Sequence, residues 1–201
     1  MASLRFILGS SSPRRQQLLE EAGFKFLIDS SRAEELHDSS LAPEELVVTN
    51  ARLKASEVAS RHPDAVVLGS DTLVYYDGVP LGKPSNLEDA HRMVSMMAGH
   101  VHEVATGVAL LGPNGLDHGF CEITKVRFHP LSEEEVWSYL RSIEPLDKAG
   151  GYAAQDNGER IIDSISGCRD NVIGLPVQRL IDELRILGLD ELVPAGFDAT
   201  S

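Results

Sequence analysis

The residues with the most chemistry to offer lie where apolar runs give way to polar turns. The stretch Leu8-Gly-Ser-Ser-Ser-Pro-Arg-Arg15 follows the apolar run Leu4–Leu8 and opens a helical segment with two arginines in its first turn. Ser12 suits the N-cap and Pro13 the first helical position, where a missing N–H costs nothing. The free N–H groups, the positive end of the helix dipole and the guanidinium groups of Arg14 and Arg15 all favour a phosphate. The plain alternative is a capped surface helix with solvated arginines. Farther on, the apolar run Ala65–Leu68 leads into Gly69-Ser-Asp-Thr72, which places Asp71 and Thr72 at the same kind of sheet edge. A carboxylate there can bind a metal or orient water, or simply cap a turn.

Two further segments join them. Gly82-Lys-Pro84 presents Lys83 stiffly between a glycine and a proline, although an exposed loop lysine reads the same way. Glu144–Gln155 packs an acid, a lysine (Lys148), paired glycines, an aromatic and an amide into a dozen positions without helical or strand period. Loops of such content usually carry sites; the glycines let backbone approach a ligand, and the Gln155 amide offers a donor and an acceptor to a base edge. A plain glycine-turned loop is the alternative.

The net charge of −13 argues against a nucleic-acid polymer as partner. A small polyanion remains suitable, because an acidic protein can gather its few cations at one site and recruit a divalent metal through carboxylates. Arg14, Arg15, Lys54, Lys83 and Lys148 each lie in or beside a Gly- or Pro-marked segment, as such gathering requires. Hydrophobic content of 42% with 24% charged residues is that of a soluble globular protein, and no window approaches the ~20 apolar residues of a membrane span. No signal peptide is expected, since Met1–Arg5 leads straight into a short strand and a polar turn. Cys121 and Cys168 lack CxxC spacing, so they read as small hydrophobes in a reducing cytoplasm. His100 and His102 could pair on a metal, but no third ligand is suitably placed in sequence, and core or surface histidines are the simpler reading.

The elements that must position these residues alternate. Strands are expected at Leu4–Leu8, Phe24–Ile28, Ala65–Gly69, Leu73–Tyr76, Glu103–Leu111, Glu122–Phe128 and Arg160–Ile165. Helices are expected at Pro13–Ala22, closed by Gly23, and from Pro43 to about Arg61. Capping boxes at Ser85–Glu88 and Ser132–Glu135 start two more, running to about Met97 and Ile143, and a last helix spans about Val177–Leu187. Asp77-Gly78 and Pro113-Asn-Gly115 read as turns. The whole is an α/β chain, a mixed sheet flanked by helices, in one domain of residues 1–201 with about 190–201 as a frayed tail.

Five segments together resemble the Maf family of nucleoside triphosphate pyrophosphatases, also called septum formation inhibitor Maf. They are Ser10-Ser-Ser-Pro-Arg-Arg15, Asn50–Ala55, Gly69-Ser-Asp-Thr72 with Gly82-Lys-Pro84, Asp147–Gln155 and Asn171-Val-Ile-Gly-Leu-Pro176. They keep the family's order over nearly the whole chain. The resemblance implies an elongated, inosine-triphosphatase-like sheet with a cleft between two lobes. It also implies a cytoplasmic, often homodimeric enzyme that cleaves a nucleoside triphosphate to a monophosphate and pyrophosphate with a divalent metal, Mg²⁺ or Mn²⁺. Matched by motif, Asp71 is the general base, Ser10, Arg14, Arg15, Lys54 and Lys83 hold the phosphates, and Thr72 and Gln155 help choose the base. Lys148 is grouped with the substrate-binding cations, and a carboxylate at Glu34–Glu35, Glu35 for choice, joins Asp71 on the metal. The group preferring 7-methyl-GTP tends to carry Trp, Gln and Glu where this chain has Arg14, Thr72 and Gln155, so the chain resembles the dTTP and UTP group. The departures are Ser70 where Ala is usual, Ala153-Ala154 for Gly-Ile, and Cys168-Arg-Asp170 for a Ser/Tyr-rich stretch. A 7-methyl-GTP enzyme and a nucleotide-binding regulator of septation with little turnover are the alternatives. A Walker-type or nucleotidyl-transfer loop, which a phosphotransferase would need, does not occur.

Overall fold

In the computed structural model, residues 4–38 and 40–196 are described. Strand β1 (Arg5–Leu8) runs into helix α1 (Pro13–Glu21), with Ser12 at the N-cap and Pro13 in the first turn. The Ser12 hydroxyl makes no capping hydrogen bond, so the helix start is left with free N–H groups. Gly23, at φ +80, ends the helix as a left-handed C-terminal glycine should. Strand β2 is only Leu27–Ile28, and helix α2 (Pro43–Ala59) starts with Glu44 and Glu45 in its first turn, where carboxylates suit the helix dipole.

One expectation is corrected here. Ala65–Gly69 and Leu73–Tyr76 are not two strands but one, β3 (Ala65–Tyr76), and Asp71 and Thr72 sit mid-strand, not in a turn. Ser70, Asp71 and Thr72 stay in register with Val108, Gly107 and Thr106 of strand β5 (Val101–Gly112), so the polar triplet never leaves the ladder. Asp77 (φ 51) and Gly78 (φ 74) turn the chain into β4 (Val79–Leu81), both left-handed as a two-residue hairpin demands. Helix α3 (Leu87–Met97) is capped one residue later than expected: the Asn86 side chain accepts from the Asp89 N–H, while the Ser85 N–H donates to the Asp89 carboxylate. Strand β6 (Leu116–Phe128) follows β5 through Asn114 and Gly115, both at positive φ. The Ser132–Glu135 capping box opens helix α4 (Glu133–Leu140), which stops short of Ile143. Strand β7 (Ile162–Ser166), the short helix α5 (Arg169–Ile173), which the sequence pattern did not suggest, and helix α6 (Val177–Ile186) complete the chain. The stretch from about residue 190, expected as a frayed tail, is built into the fold through Val193. Asp190–Leu192 form a 3-10 turn, and Leu192 and Val193 pack on the core. Residues 197–201 lie outside the described residues.

The sheet order is β2-β1-β3-β5-β6-β7, with β4 on β3. Strands β2, β1 and β3 are parallel, and β3, β5, β6 and β7 are antiparallel. β3, β5 and β6 are twelve, twelve and thirteen residues long. At about 3.4 Å per residue they span some 40 Å and serve both ends of the molecule. Odd-numbered residues of β3 and β5 face α2, where Ala51 and Ala55 pack on Ala65, Val67 and Ala109, and Val47 packs on Tyr75 and Ala105. Even-numbered residues face two separate apolar clusters. Val66, Leu68, Val108 and Leu110 meet α1 and α6, and Val74, Val104 and Val126 meet α3 and α4.

Between those clusters the even face turns polar. Ser70, Thr106 and Thr124 are fully buried there and are covered by the segment from Cys168 to Gly174. The two lobes are therefore two cores on one sheet, parted by a hydrogen-bonded seam. The sheet edge is interrupted at the same level: β1 pairs with β3 through Leu68, and β4 rejoins it at Val74. Gly69–Leu73 therefore has no strand on that side, and the gap is the mouth of the cleft.

Candidate active site

A cavity of about 800 Å³ opens at this gap, within the range of small-molecule sites. It is lined by Gly9–Arg15, by the extended segment carrying Ser31, Ala33, Glu35 and His37, by Asp71–Val74, by Gly82 and Lys83, and by the loop from Asp147 to Gln155. Every sequence-predicted site residue reaches it: Ser10, Arg14, Arg15, Glu35, Lys54, Asp71, Thr72, Lys83, Lys148 and Gln155.

Asp71 is the centre of the polar groups. It is buried, and its two oxygens have different partners: Oδ1 accepts from Lys54 Nζ at 2.7 Å, and Oδ2 from Asn50 Nδ2 at 3.0 Å. Both partners come from α2, four residues apart and so on one helix face. Two glycines allow the helix this close. A Cβ on Gly69 would lie 2.2 Å from the Ala51 carbonyl oxygen, and one on Gly107 would lie 2.3 Å from the Val47 carbonyl. Lys54 Nζ also meets Glu35 Oε1 at 2.7 Å, so one ammonium bridges two carboxylates. Tyr75, four residues beyond Asp71 on the same face, has a buried, unpartnered hydroxyl. Burial, with the Asp71 charge adding to it, pushes the Tyr75 pKa up to about 12, so the phenol stays neutral.

Arg15 lies beside Thr72, on the face of β3 opposite to the Asp71 side chain, held by neutral acceptors. Its Nε donates to the Gly174 carbonyl at 2.9 Å, one terminal nitrogen to Ser10 Oγ at 3.2 Å, and the other to Thr72 Oγ1 at 3.0 Å. It makes no ion pair with a described residue, and burial pulls its pKa below that of an ordinary arginine, with the Asp71 charge acting the other way. A shielded guanidinium fixed without a carboxylate is an anion receptor in waiting. The polar seam supports it: Thr72 Oγ1 meets Thr106 Oγ1 at 3.0 Å, Thr106 donates to the Asn171 carbonyl, and Asn171 Nδ2 donates to Val104 O and Thr124 Oγ1.

The remaining cations differ in how far they are already engaged. Arg14 bonds the Asp147 carboxylate at 3.2 Å, closing the rim between α1 and the loop after α4. Lys148 is buried, with Nζ on the Glu144 carbonyl at 2.6 Å and Asp147 Oδ1 at 2.8 Å. Partial burial alone would raise the Asp147 pKa, but the Lys148 hydrogen bond and the Arg14 charge outweigh it and hold the carboxyl below the usual range. Lys83 is exposed and makes no ion pair with a described residue; the Gly150 N–H bonds the Gly82 carbonyl at 3.0 Å and fixes the loop that presents it. Gly150 and Gly151 are at φ +69 and +72, pressed against Val74 and Ala90, which explains the paired glycines. Gln155 is half-buried on the cleft wall, and the chain before it is pinned where the Tyr139 hydroxyl accepts from the Ala153 N–H and donates to its carbonyl.

The histidines take structural places. His102 is buried between Phe128 and Tyr152, with Nε2 at 2.8 Å from the Tyr152 hydroxyl, and His100 lies against the Tyr76 ring. Cys121 packs beside Val47 and Tyr75, and the Cys168 backbone is held by Thr124 Oγ1. Among the described residues no group of three His, Cys, Asp or Glu is placed to hold a metal, so the Glu35–Asp71 pair is the acidic feature of the cleft. Sequence reasoning missed Asn50 and Asn171. The signal for Asn50 was present, since a poor helix former sits mid-helix four residues before Lys54.

This geometry defines a class: an α/β protein whose cleft joins a shielded arginine to a carboxylate held by a lysine and an amide. The chain belongs to the Maf family, whose model, described as Maf-like protein, matches residues 5–187. It is 44% identical to the dTTP/UTP pyrophosphatase of Akkermansia muciniphila over 182 residues, covering 90% of this chain and 96% of that one. It is equally similar, at 44%, to proteins of that name from a Geobacillus species and from Carboxydothermus hydrogenoformans, covering 92% of this chain and 98% and 100% of theirs. In structure it is similar to the Staphylococcus aureus Ham1 protein, with a TM-score of 0.54 at 13% identity over 91% of this chain and 99% of that one. That likeness concerns the fold. No helix among the described residues is long and apolar enough to cross a membrane.

Proposed function

We propose that this chain is a nucleoside triphosphate pyrophosphatase that hydrolyses dTTP and UTP to the monophosphate and pyrophosphate. The observation that carries the reading is that one cavity is lined both by Asp71, clamped by Lys54 and Asn50, and by Arg15, whose hydrogen-bond partners are all neutral. The name shared by relatives at 44% identity over nine-tenths of the chain supports the activity and the substrates.

Asp71 orients a water and takes its proton as the water oxygen attacks the α-phosphorus. The bond to the oxygen bridging the α- and β-phosphates breaks, and pyrophosphate leaves. Ser10, Arg14, Arg15, Lys54 and Lys83 receive the phosphate oxygens, and their charges are set in place before the reaction, where they stabilise the charge that spreads in the transition state. Arg14 must exchange Asp147 for phosphate to take part, whereas Arg15 and Lys83 need exchange nothing. Lys148, tied to Glu144 and Asp147, holds the rim in place and comes nearest the ligand through that loop. Thr72 spends its hydroxyl on Arg15 and Thr106, so its part in choosing the base runs through the arginine, while Gln155 offers its amide directly.

Glu35 and Asp71 fit a divalent cation, because they already share one positive group, Lys54 Nζ, and Mg²⁺ commonly takes one or two carboxylates and completes its shell with water and phosphate. Bound there, Mg²⁺ or Mn²⁺ would neutralise phosphate charge as a Lewis acid. Residence in the cytoplasm, where the nucleotide pool lies, and assembly as a homodimer belong to the same reading. Asp71→Asn tests it: the variant keeps the fold and nucleotide binding and loses at least ~10²-fold in turnover. Turnover within a few-fold of the parent, or undiminished hydrolysis in excess chelator, contradicts it.

A further inference from the structure

We infer that Asn50 is a positioning residue of this site, a two-sided clip that fixes Glu35 and Asp71 relative to each other. The inference rests on the reading of those two carboxylates as the pair that takes the divalent cation.

Asn50 is 2% exposed, and its amide is fully used on two different segments. Its Oδ1 accepts from the Leu36 N–H at 2.7 Å, and its Nδ2 donates to the Leu36 carbonyl at 3.1 Å and to Asp71 Oδ2 at 3.0 Å. Engaging both backbone groups of one residue is what a neighbouring strand would do, here done by a side chain. The segment it grips has no helix or strand of its own from Asp29 to Asp38. Its cleft-lining residues alternate, Ser31, Ala33, Glu35 and His37, as in an extended chain. The Leu36 side chain points away and is 42% exposed, so it anchors nothing. Among the described residues, Glu34–His37 is tied to the rest of the molecule by the Asn50 clip and by the Glu35–Lys54 ion pair. The ion pair cannot set the register, because a lysine ammonium can donate to an oxygen in many directions. The planar amide can, and a slip of one residue would turn Glu35 out of the cleft.

The other end of the clip matters separately. The Nδ2–H that reaches Asp71 Oδ2 fixes the plane of the carboxylate, leaving Oδ1 toward Lys54 and the cleft. A carboxylate at position 50 would keep the acceptor for the Leu36 N–H, lose both donors and set a like charge against Asp71. That difference separates docking of the segment from orientation of the base.

The experiment compares the full-length parent with Asn50→Ala and Asn50→Asp. Three quantities are read: Mn²⁺ affinity by calorimetry without nucleotide, exchange of the Leu36 amide by NMR, and kcat and KM on dTTP. Asn50→Ala is expected to weaken Mn²⁺ about 10- to 100-fold, the usual cost of losing a group that holds a metal ligand, and to speed Leu36 exchange. Its kcat falls by a similar factor while KM stays within about three-fold, since Arg15 and Lys83 are untouched. Asn50→Asp keeps the Leu36 amide slow yet loses kcat at least as far, and it serves as the second variant should Asn50→Ala fold poorly. Parent-like Leu36 exchange in Asn50→Ala, or parent-like kcat in Asn50→Asp, overturns the clip. Failure of the parent itself to cleave dTTP overturns the functional reading instead, and the exchange measurement still decides the clip.

Discussion

Replacing Gly107 by alanine should disable the site by pushing on helix α2. Gly107 lies on β5 as the cross-strand partner of Asp71 and does not itself line the cleft, but its added Cβ would sit 2.3 Å from both the carbonyl carbon and oxygen of Val47 and 2.5 Å from the Val48 nitrogen. Those are backbone atoms of a packed helix and cannot rotate aside, so α2 must retreat by about 1 Å to restore ordinary contact. The Lys54–Asp71 contact of 2.7 Å then stretches beyond hydrogen-bond reach, and the Asn50–Asp71 contact with it. Overpacking of this kind costs about 1–3 kcal/mol, which in a domain of this size lowers Tm by roughly 2–12 °C. A misplacement of about 1 Å in a catalytic array costs on the order of 10²-fold in rate. The assay is kcat/KM on dTTP beside a thermal melt, with Gly112→Ala as control, because the Cβ there meets chiefly side chains at 3.2–3.3 Å that can yield. A Gly107→Ala protein that melts with the parent and keeps its turnover within two-fold would refute the claim that α2 seats the reacting carboxylate through that contact.

Arg15→Lys keeps the charge but cannot reproduce the three-way hold on Gly174, Ser10 and Thr72; kcat/KM on dTTP should fall about 10- to 100-fold with KM rising, and an unchanged KM would remove Arg15 from the phosphates. His102 gives the fold an acid limit. Burial pushes its pKa down to about 3, so below about pH 6.5 the unfolded chain binds a proton that the folded chain refuses, and stability falls by up to about 1.4 kcal/mol per pH unit until about pH 3. His102→Gln should flatten that slope between pH 7.5 and 5 in urea unfolding, and identical slopes would show that other groups set it. Gln155→Glu removes the amide donor and adds a charge, so it should lower kcat/KM for dTTP and UTP more than for 7-methyl-GTP; equal losses on all three would mean that Gln155 supports the loop without reading the base.

Much of this arrangement was legible in the residues because turn and cap chemistry is local. Asp77-Gly78, Asn114-Gly115 and the Ser132–Glu135 box behave as their types require, and Gly23 ends α1. The middle of β3 was not legible. Gly-Ser-Asp-Thr has the composition of a turn, and only pairing with β5 on one side, with the opposite edge left open to the cleft, keeps it extended. Asn86 displaced Ser85 as cap because either side chain can do it and the competition is settled by a single backbone step. The site residues themselves emerged from motif order, but their partners did not. That Thr72 serves Arg15, that Lys148 is already saturated and that Asn50 joins two segments are long-range facts, carried by contacts as distant in sequence as Arg15 and Gly174. Gly69 and Gly107 looked like ordinary strand glycines until the helix lying on them gave each a reason.

The central claim is that Asp71 delivers water to the α-phosphorus of a pyrimidine nucleoside triphosphate held by Arg15 and its neighbours. Hydrolysis of dTTP with Mg²⁺ in ¹⁸O-enriched water, with the products resolved by mass spectrometry, tests it most directly. Attack at the α-phosphorus places the label in dTMP and leaves the released pyrophosphate unlabelled, and Asp71→Asn should slow that labelling by at least ~10²-fold. Label in pyrophosphate or in free phosphate, or labelled dTMP formed as fast without the Asp71 carboxylate, would contradict it.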